Sequence, residues 1–487
     1  MKERTKYIIL YAISAVAVFL GVHFTQEYRF FNIESNDLFL YDRTHIAAMI
    51  RQTGGLSTLL ASFLSQFMII PFAGTIIVTV LYLFSAWLLG RILSKISGTD
   101  LSYGLSFIPA VFLFLCMEND YYRFQGHAAF IIVVAALYAY VSIPLERVKF
   151  RYAAGIILIP LSYHLAGSVC LVLAVSAFLW EIIQRGFKGL YAFAYPVLML
   201  FTAYVCVKVS MVSGWEHALT PFMYYDWPST YFFPIYAWTS VPALMLIAWL
   251  IGFMKKASGH TVGYAAAAFV LSFCISGYLY DIVHSRSYYR LIQEQHWAMK
   301  GDWDKIIETA DRRQPNYLIS YLNLALANKG YLVERLGYYN PQPVSKVMFP
   351  TPNLKTGLTL QSTVYMAWNY YSAARQAAFD ADMVTAGMHN PHQLKVLVLT
   401  NLALGSPEVA EKYIDILEKT MFYRKWAKNM KAEIATFQPP VLPERDEYVR
   451  YNGLKGDMRD ILDSDPSNRI LSQFYEAYAL LETLEER

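Results

Sequence analysis

The sequence predicts an all-α protein: a polytopic transmembrane helical bundle followed by a helical-repeat domain outside the membrane. Three observations carry this. The 487-residue chain is 56% hydrophobic and 16% charged, with mean hydropathy +0.31, whereas soluble proteins carry about 25% charged residues. Before Asp281 the apolar residues fall in blocks of roughly 17–22, long enough to cross a ~30 Å hydrocarbon core. Beyond it the chain becomes polar, rich in Tyr and helical in period. The expected division is therefore a membrane domain over 1–283 and an extracytoplasmic domain over 284–487.

The spans expected are Tyr7–Phe24, Ala73–Leu93, Leu101–Met117, Ala128–Pro144, Tyr152–Ala166, Ser168–Ile183, Leu190–Ser210, Pro234–Met254 and Thr261–Tyr280. The first follows MKERTK, as a signal peptide would, but it is long and no A-x-A site follows, so it reads as a retained anchor. With Met1 inside, the inner connections hold Lys2, Arg4, Lys6, Arg91, Lys95, Arg147, Lys149, Arg151, Arg185, Lys188, Lys255 and Lys256. The other side holds Arg29, Arg43, Arg51, Arg123 and, at a span end, Lys208. This is the positive-inside asymmetry. The stretch Tyr152–Ile183 is short for two crossings, since it gives roughly 48 Å of helix where two crossings need about 40 residues. It reads as two short helices or a re-entrant pair, broken at Pro160, His164 and Gly167.

Between the first two spans lies Thr25–Phe72, with Glu27, Glu34, Asp37 and Asp42 and two amphipathic helices expected within 34–72, parted by Gly54-Gly55. Glu34 and Asp37, three apart, would share a helix face. Carboxylates at a membrane surface can act as general bases or hold a divalent cation. They can equally be solvated, or cap the next helix. Glu27, nearest the span end, is the acid expected to sit partly desolvated beside a lipid-linked group, with Glu34 and Asp37 as its companions. On the same side, the loop Met211–Phe233 offers Trp215, Glu216, His217, Asp226 and Trp227. Aromatic faces with polar groups between them suit sugar rings, and also suit an interfacial belt. His164 and His127, with Asp120 to Arg123, complete the polar residues of that side.

Other chemistries are disfavoured. No phosphate-binding loop, G-x-S-x-G or H-E-x-x-H motif occurs. Cys116, Cys170, Cys206 and Cys274 lie in apolar spans without metal-site spacing, and no metal ligand set is assigned. A net charge of +4 gives no reason to expect nucleic acid.

In the C-terminal part, Gly301, Gly330 and Gly405 each stand between two amphipathic stretches. These units resemble tetratricopeptide repeats, most clearly at Gly301-Asp302-Trp303 and Gly405…Ala410…Leu417, with prolines at 341–352 and 439–443 interrupting the array. The resemblance implies a helical solenoid that gathers protein partners on one face. The layout of Tyr7–Leu93 (span, early acidic residue, surface helices, span) resembles the GT-C glycosyltransferases. That implies transfer of a sugar from a polyprenyl carrier at the outer membrane face, with Glu27, Glu34 or Asp37 as base or cation ligand. The order of parts, with GGLSTLLASFLSQFMIIPFAG at Gly54–Gly74, YLNLALANKG at Tyr321–Gly330 and the stretch Leu394–Ala427, resembles an uncharacterised family of bacterial integral membrane proteins known chiefly from Bacteroidota. This implies location and architecture and adds no catalytic residue.

Two functions follow as expectations: an inner-membrane transferase of the cell envelope acting on a lipid-linked sugar, or a membrane-anchored scaffold whose periplasmic repeats bind envelope-assembly proteins. Both place the N-terminus in the cytoplasm. Reporter fusions at Lys256 and Arg487 should score cytoplasmic and periplasmic respectively, and a cytoplasmic score at Arg487 would show that an odd number of crossings has been misread.

Overall fold

The computed structural model describes residues 3–99, 103–226, 232–253, 261–313, 315–339, 354–385, 389–442 and 453–485. Among them it is all-α, without strands; a single isolated bridge pairs Tyr122 with Tyr225. The chain groups into two compact units, Met1–Ile33 with Asp42–His284 and Glu34–Tyr41 with Ser285–Arg487.

The first unit begins with α1 (Glu3–Ser35). The helix does not stop at Phe24. It runs through the acidic stretch, because its polar residues there find partners instead of water. Two short helices follow, α2 (Arg43–Arg51) and α3 (Gly55–Ser65), the latter packed against the later helices Gln125–Val141 and Val148–Ala166. Asp42 caps α2, accepting from the amides of Thr44 at 2.8 Å and His45 at 3.3 Å. The remaining helices are α4 (Ala73–Ser97), α5 (Ile108–Cys116), α6 (Gln125–Val141), α7 (Val148–Ala166), α8 (Cys170–Arg185), α9 (Ala194–Lys208), α10 (Trp215–Leu219), α11 (Phe232–Phe253) and α12 (Thr261–Val283).

Among the described residues five helical stretches are long and apolar enough to cross a membrane: Ile8–Ser35, Ala73–Ser97, Cys170–Lys208, Phe233–Gly252 and Gly263–Val283. This makes the chain a multi-pass membrane protein. The nine expected spans fall partly on these stretches and partly on shorter helices. Leu101–Met117 and Ala128–Pro144 fold as the shorter apolar helices Leu105–Cys116 and Gln125–Val141, because turns and paired polar residues occupy their ends. Ser168–Ile183 and Leu190–Ser210 fall in the single stretch Cys170–Lys208, whose middle tightens to a 3-10 helix at Gly186–Phe193. Pro160 lies inside α7, and the break comes at Gly167, whose φ of 88° suits glycine. Lys255 and Lys256 lie outside the described residues.

Several hydroxyls on the apolar helices are satisfied by their own backbone. Thr25, Thr202, Thr239 and Ser272 each donate to the carbonyl four residues earlier. Small residues allow close packing: a Cβ on Gly155 would stand 2.4 Å from the Tyr195 ring. Tyr195 belongs to the most polar part of the interior. There Arg151 of α7 and Glu181 of α8, both fully buried, form an ion pair. Tyr140 and Tyr191 each donate to Glu181 at 2.7 Å, and Arg151 also donates to the Ile143 carbonyl at 2.7 Å.

The second unit contains α13 (Arg286–Lys300), α14 (Trp303–Glu308), α15 (Asn316–Lys329), α16 (Leu332–Arg335), α17 (Leu354–Ala367), α18 (Tyr371–Met383), α19 (Pro391–Ala403), α20 (Pro407–Glu418), α21 (Arg424–Glu433), α22 (Gly453–Ser464) and α23 (Arg469–Glu485). Gly301, Gly330 and Gly405 all have left-handed φ, 73°, 77° and 72°, and each lies between two helices. From α17 to α21 each helix packs against the next. Trp368 and Phe474 meet in the core with ring centroids 5.0 Å apart. The prolines at 341–352 and Pro443 lie outside the described residues.

Glu294 of α13 is a buried carboxyl with a marked pH consequence. Arg290 reaches one of its oxygens at 3.1 Å, and the other is buried without a hydrogen-bond partner. Burial therefore outweighs Arg290 and pushes the carboxyl up to about 8. A carboxyl raised above its unfolded value of about 4.3 favours the native state at low pH, and this contribution is lost as pH climbs toward 8. The second unit should thus lose stability between pH 5 and 8, by on the order of a few kcal/mol. Glu294→Gln should flatten that slope in melting curves recorded across the range; an unchanged slope would show that another group sets it.

Candidate functional site

A polar cluster closes one end of the first unit. Its anchor is Arg29, which sits with Gln26 and Asn32 on one face of α1, three residues apart. The turn after α5 brings Glu118 and Asp120 to that face, and the residue after α12, His284, arrives beside them. Arg29 donates to Glu118 at 2.9 Å and to Asp120 at 3.3 Å; all three side chains are at most 6% exposed. Gln26 donates to the other Glu118 oxygen at 2.7 Å. His284 Nδ1 lies 2.9 Å from Glu118. Burial alone would push the Glu118 carboxyl up. The hydrogen bond from His284, the charge of Arg29 and the hydrogen bond from Gln26 more than reverse this and hold it below its ordinary value. The Gln26 side-chain carbonyl is buried without a hydrogen-bond partner.

Beside the cluster lies an apolar cavity of about 180 Å³, walled by α1, α4, α5 and α12. Gly21, Ala110 and Gly277 open it, and Phe114, Phe273 and Tyr280 supply aromatic faces. Tyr280 joins cavity to cluster: its ring stacks on His284 at 4.5 Å, and its hydroxyl donates to the Thr25 carbonyl at 3.4 Å. Tyr82, on the cavity wall, shares a 3.0 Å hydrogen bond with buried His127.

The loops expected on one side do meet. Asp226 pairs with Arg123 at 3.7 Å and donates its amide to the Tyr121 carbonyl at 2.9 Å. The Gly54 amide donates to the His164 carbonyl at 2.8 Å. His164 itself is half-buried. Trp215 and Glu216 are exposed on α10, with Trp215 beside Tyr204, and His217 meets the Phe222 ring edge-on at 4.3 Å. Trp227 lies outside the described residues.

The early acids do not form one cluster. Glu27 is exposed, one residue and about 100° round the helix from Gln26, so the partial burial expected of it is absent. Glu34 groups with the second unit. There it is buried, accepts from Tyr423 Oη at 2.6 Å, and lies 3.4 Å from His392 Nε2. Burial and then the Glu34 charge push the Tyr423 hydroxyl well above its usual range. Burial lowers the Lys395 amine, against the pull of Glu34. Asp37 falls beyond the end of α1, its amide donating to the Glu34 carbonyl at 3.4 Å, so the shared helix face expected for Glu34 and Asp37 is not made. Among the described residues no three His, Cys, Asp or Glu stand together as a metal would require.

Glu118 and His284 were not singled out by sequence. The signal was there in part: the repeated polar residue at every third position of Gln26, Arg29 and Asn32 marks an α1 face that needs partners. Glu118→Gln should leave Arg29 buried with half its compensation, at a cost of about 3–5 kcal/mol for a broken buried pair, read as a lower melting temperature in detergent. Because its pKa is depressed in the fold, Glu118 contributes stability above about pH 4.3 that is lost as pH falls through its folded value. The substitution should therefore also weaken the wild-type loss below pH 4; an unaltered acid limb would place that loss elsewhere.

No curated protein and no solved structure matches the chain. Residues 4–483 match a family described only as a family of unknown function, DUF6057, and the chain belongs to that family.

Proposed function

We propose that the chain binds a lipid-linked substrate and acts as a GT-C-like transferase of the bacterial cell envelope. The observation that carries this is the apolar cavity ending at the Gln26–Arg29–Glu118–His284 cluster. A cavity open among lipid-facing helices admits an acyl or polyprenyl chain, and the polar end meets its head. The positive-inside pattern supports an inner membrane with this end outward and the C-terminal domain in the periplasm.

In this reading His284 is the general base. The Glu118 carboxylate lies 2.9 Å from Nδ1 and orients the ring, the usual relation of base and orienting acid. Asp226, tied through Tyr121 and Arg123 to the same loops, borders the head region, and Trp215, Glu216, His217 and His164 form a more distant rim for a sugar. The exposed Glu27 becomes a weaker candidate than His284, and Glu34 and Asp37 belong to the helical domain. A second reading, a tetratricopeptide-like scaffold, is favoured by the run of packed helices from α17 to α21.

The test uses a photoreactive lipid bearing a polyprenyl chain. Nothing stands within 4 Å of a Cβ built on Gly277, so Gly277→Trp should fill the cavity and abolish crosslinking. His284→Ala should keep crosslinking yet, like a deletion strain, change the surface glycans. Crosslinking indifferent to Gly277→Trp would sink the lipid-binding reading. A deletion that alters no glycan would favour the scaffold.

A further inference from the structure

We propose that the group received at the polar end of the cavity is an uncharged hydroxyl, so that the lipid bound there is a lipid alcohol and not a lipid phosphate. This rests on the lipid-binding reading of the cavity and adds to it the class of the head. Three helices carry the cavity wall into the cluster. On α1 the wall residues Val22 and Thr25 are followed four residues on by Gln26 and Arg29. On α12 Tyr280 is followed by His284, whose amide still donates to the Tyr280 carbonyl at 2.8 Å. After α5, Phe114 is followed by Glu118, whose amide donates to the Leu115 carbonyl at 3.1 Å. Residues four apart lie one above the other on a helix face, so the cluster stands at the end of the cavity.

Donors and acceptors are unequal at this end. The Gln26 side chain is fully buried. Its amide can point only one way: the NH2 group donates to Glu118 at 2.7 Å, and an ionised carboxylate accepts only. Glu118 is held below its ordinary value. The Gln26 carbonyl is therefore the atom left over, and it has no hydrogen-bond partner. Buried acceptors are normally met by a donor, so whatever completes this one must donate. The charges decide which donor. The Arg29 guanidinium is already divided between Glu118 and Asp120. With His284 neutral, these groups carry a net negative charge; with His284 protonated, they balance. Neither state offers spare positive charge. A phosphate here would be a buried anion without compensation, which is costly. An ammonium would be as badly placed when His284 is protonated. A hydroxyl donates, brings no charge and suits both states.

The test is competition against the photoreactive polyprenyl lipid on the full chain in detergent. The competitors are geranylgeraniol, its methyl ether and its monophosphate. The alcohol should compete about tenfold better than the ether, which has the same chain and no donor. It should also compete at least about tenfold better than the phosphate. Gln26→Met should bring the alcohol down to the level of the ether. Equal competition by alcohol and ether on the wild-type chain, the result if a water completes Gln26, overturns the proposal. So does a phosphate that competes as well as the alcohol. In both cases crosslinking that Gly277→Trp still abolishes would leave lipid binding standing. Competition by none of the three, or crosslinking indifferent to Gly277→Trp, sinks lipid binding and this inference together. If Gln26→Met fails to fold, the three competitors on the wild-type chain decide alone.

Discussion

A charge carried by an apolar helix must be neutralised by whatever the fold brings within reach, and in the first unit Arg29 imposes that condition. Its guanidinium is buried, and an unpaired buried charge would be very costly. Glu118 and Asp120 can reach it only if the turn after α5 lies against α1. Glu118 also meets His284, so the end of α12 is held at the same point. Three helices distant in sequence are thereby fixed at one end, and the same three help to wall the cavity. The Arg151–Glu181 pair does the equivalent for α7 and α8, with Tyr140 and Tyr191 meeting both carboxylate oxygens. Such pairs add little net stability over apolar packing, but they penalise any arrangement that separates the partners.

Pairing also explains what the sequence could and could not reveal. Apolar runs mark α4, α11 and α12 closely, since hydropathy depends on local composition. The first span was read too short because Gln26, Arg29 and Asn32 look like an exit into water. Whether a polar residue ends a span depends on its partners, and Glu118 and His284 lie 166 residues apart in sequence. The Lys and Arg distribution grouped the loops near His164, Arg123 and Asp226 on one side, and their hydrogen bonds bring them together. The choice of Glu27 rested on nearness to the span end. Helix period was the better guide, because it turns Gln26 and Arg29 inward and Glu27 outward.

Glu34 illustrates a different limit. A carboxylate in the last turn of a helix faces the negative end of the macrodipole, so its burial calls for donors from elsewhere. They come from the second unit, where Tyr423 donates and His392 lies close. The layout that made Glu34 a candidate base says nothing of these partners, which lie hundreds of residues later. Their presence gives the residue a structural reason to be acidic: it fastens Glu34–Tyr41 to the helices it packs against.

If the chain binds a lipid-linked substrate as proposed, the cavity bears on specificity. The small residues Gly21, Ala110 and Gly277 line it together with the rings of Phe114, Phe273 and Tyr280. In water such a void would cost stability as lost contact. Among lipids it costs little, since chains as apolar as its lining can fill it. For the same reason such a cavity would discriminate poorly between one apolar chain and another: a methylene more or less is worth only about 1–3 kcal/mol. Strong selection must come from polar groups that a wrong ligand would leave unsatisfied. The buried Gln26 carbonyl and the Glu118–His284 pair are such groups at the end of the cavity. If the site recognises one lipid among many, the discrimination rests there, on the head and not on the chain.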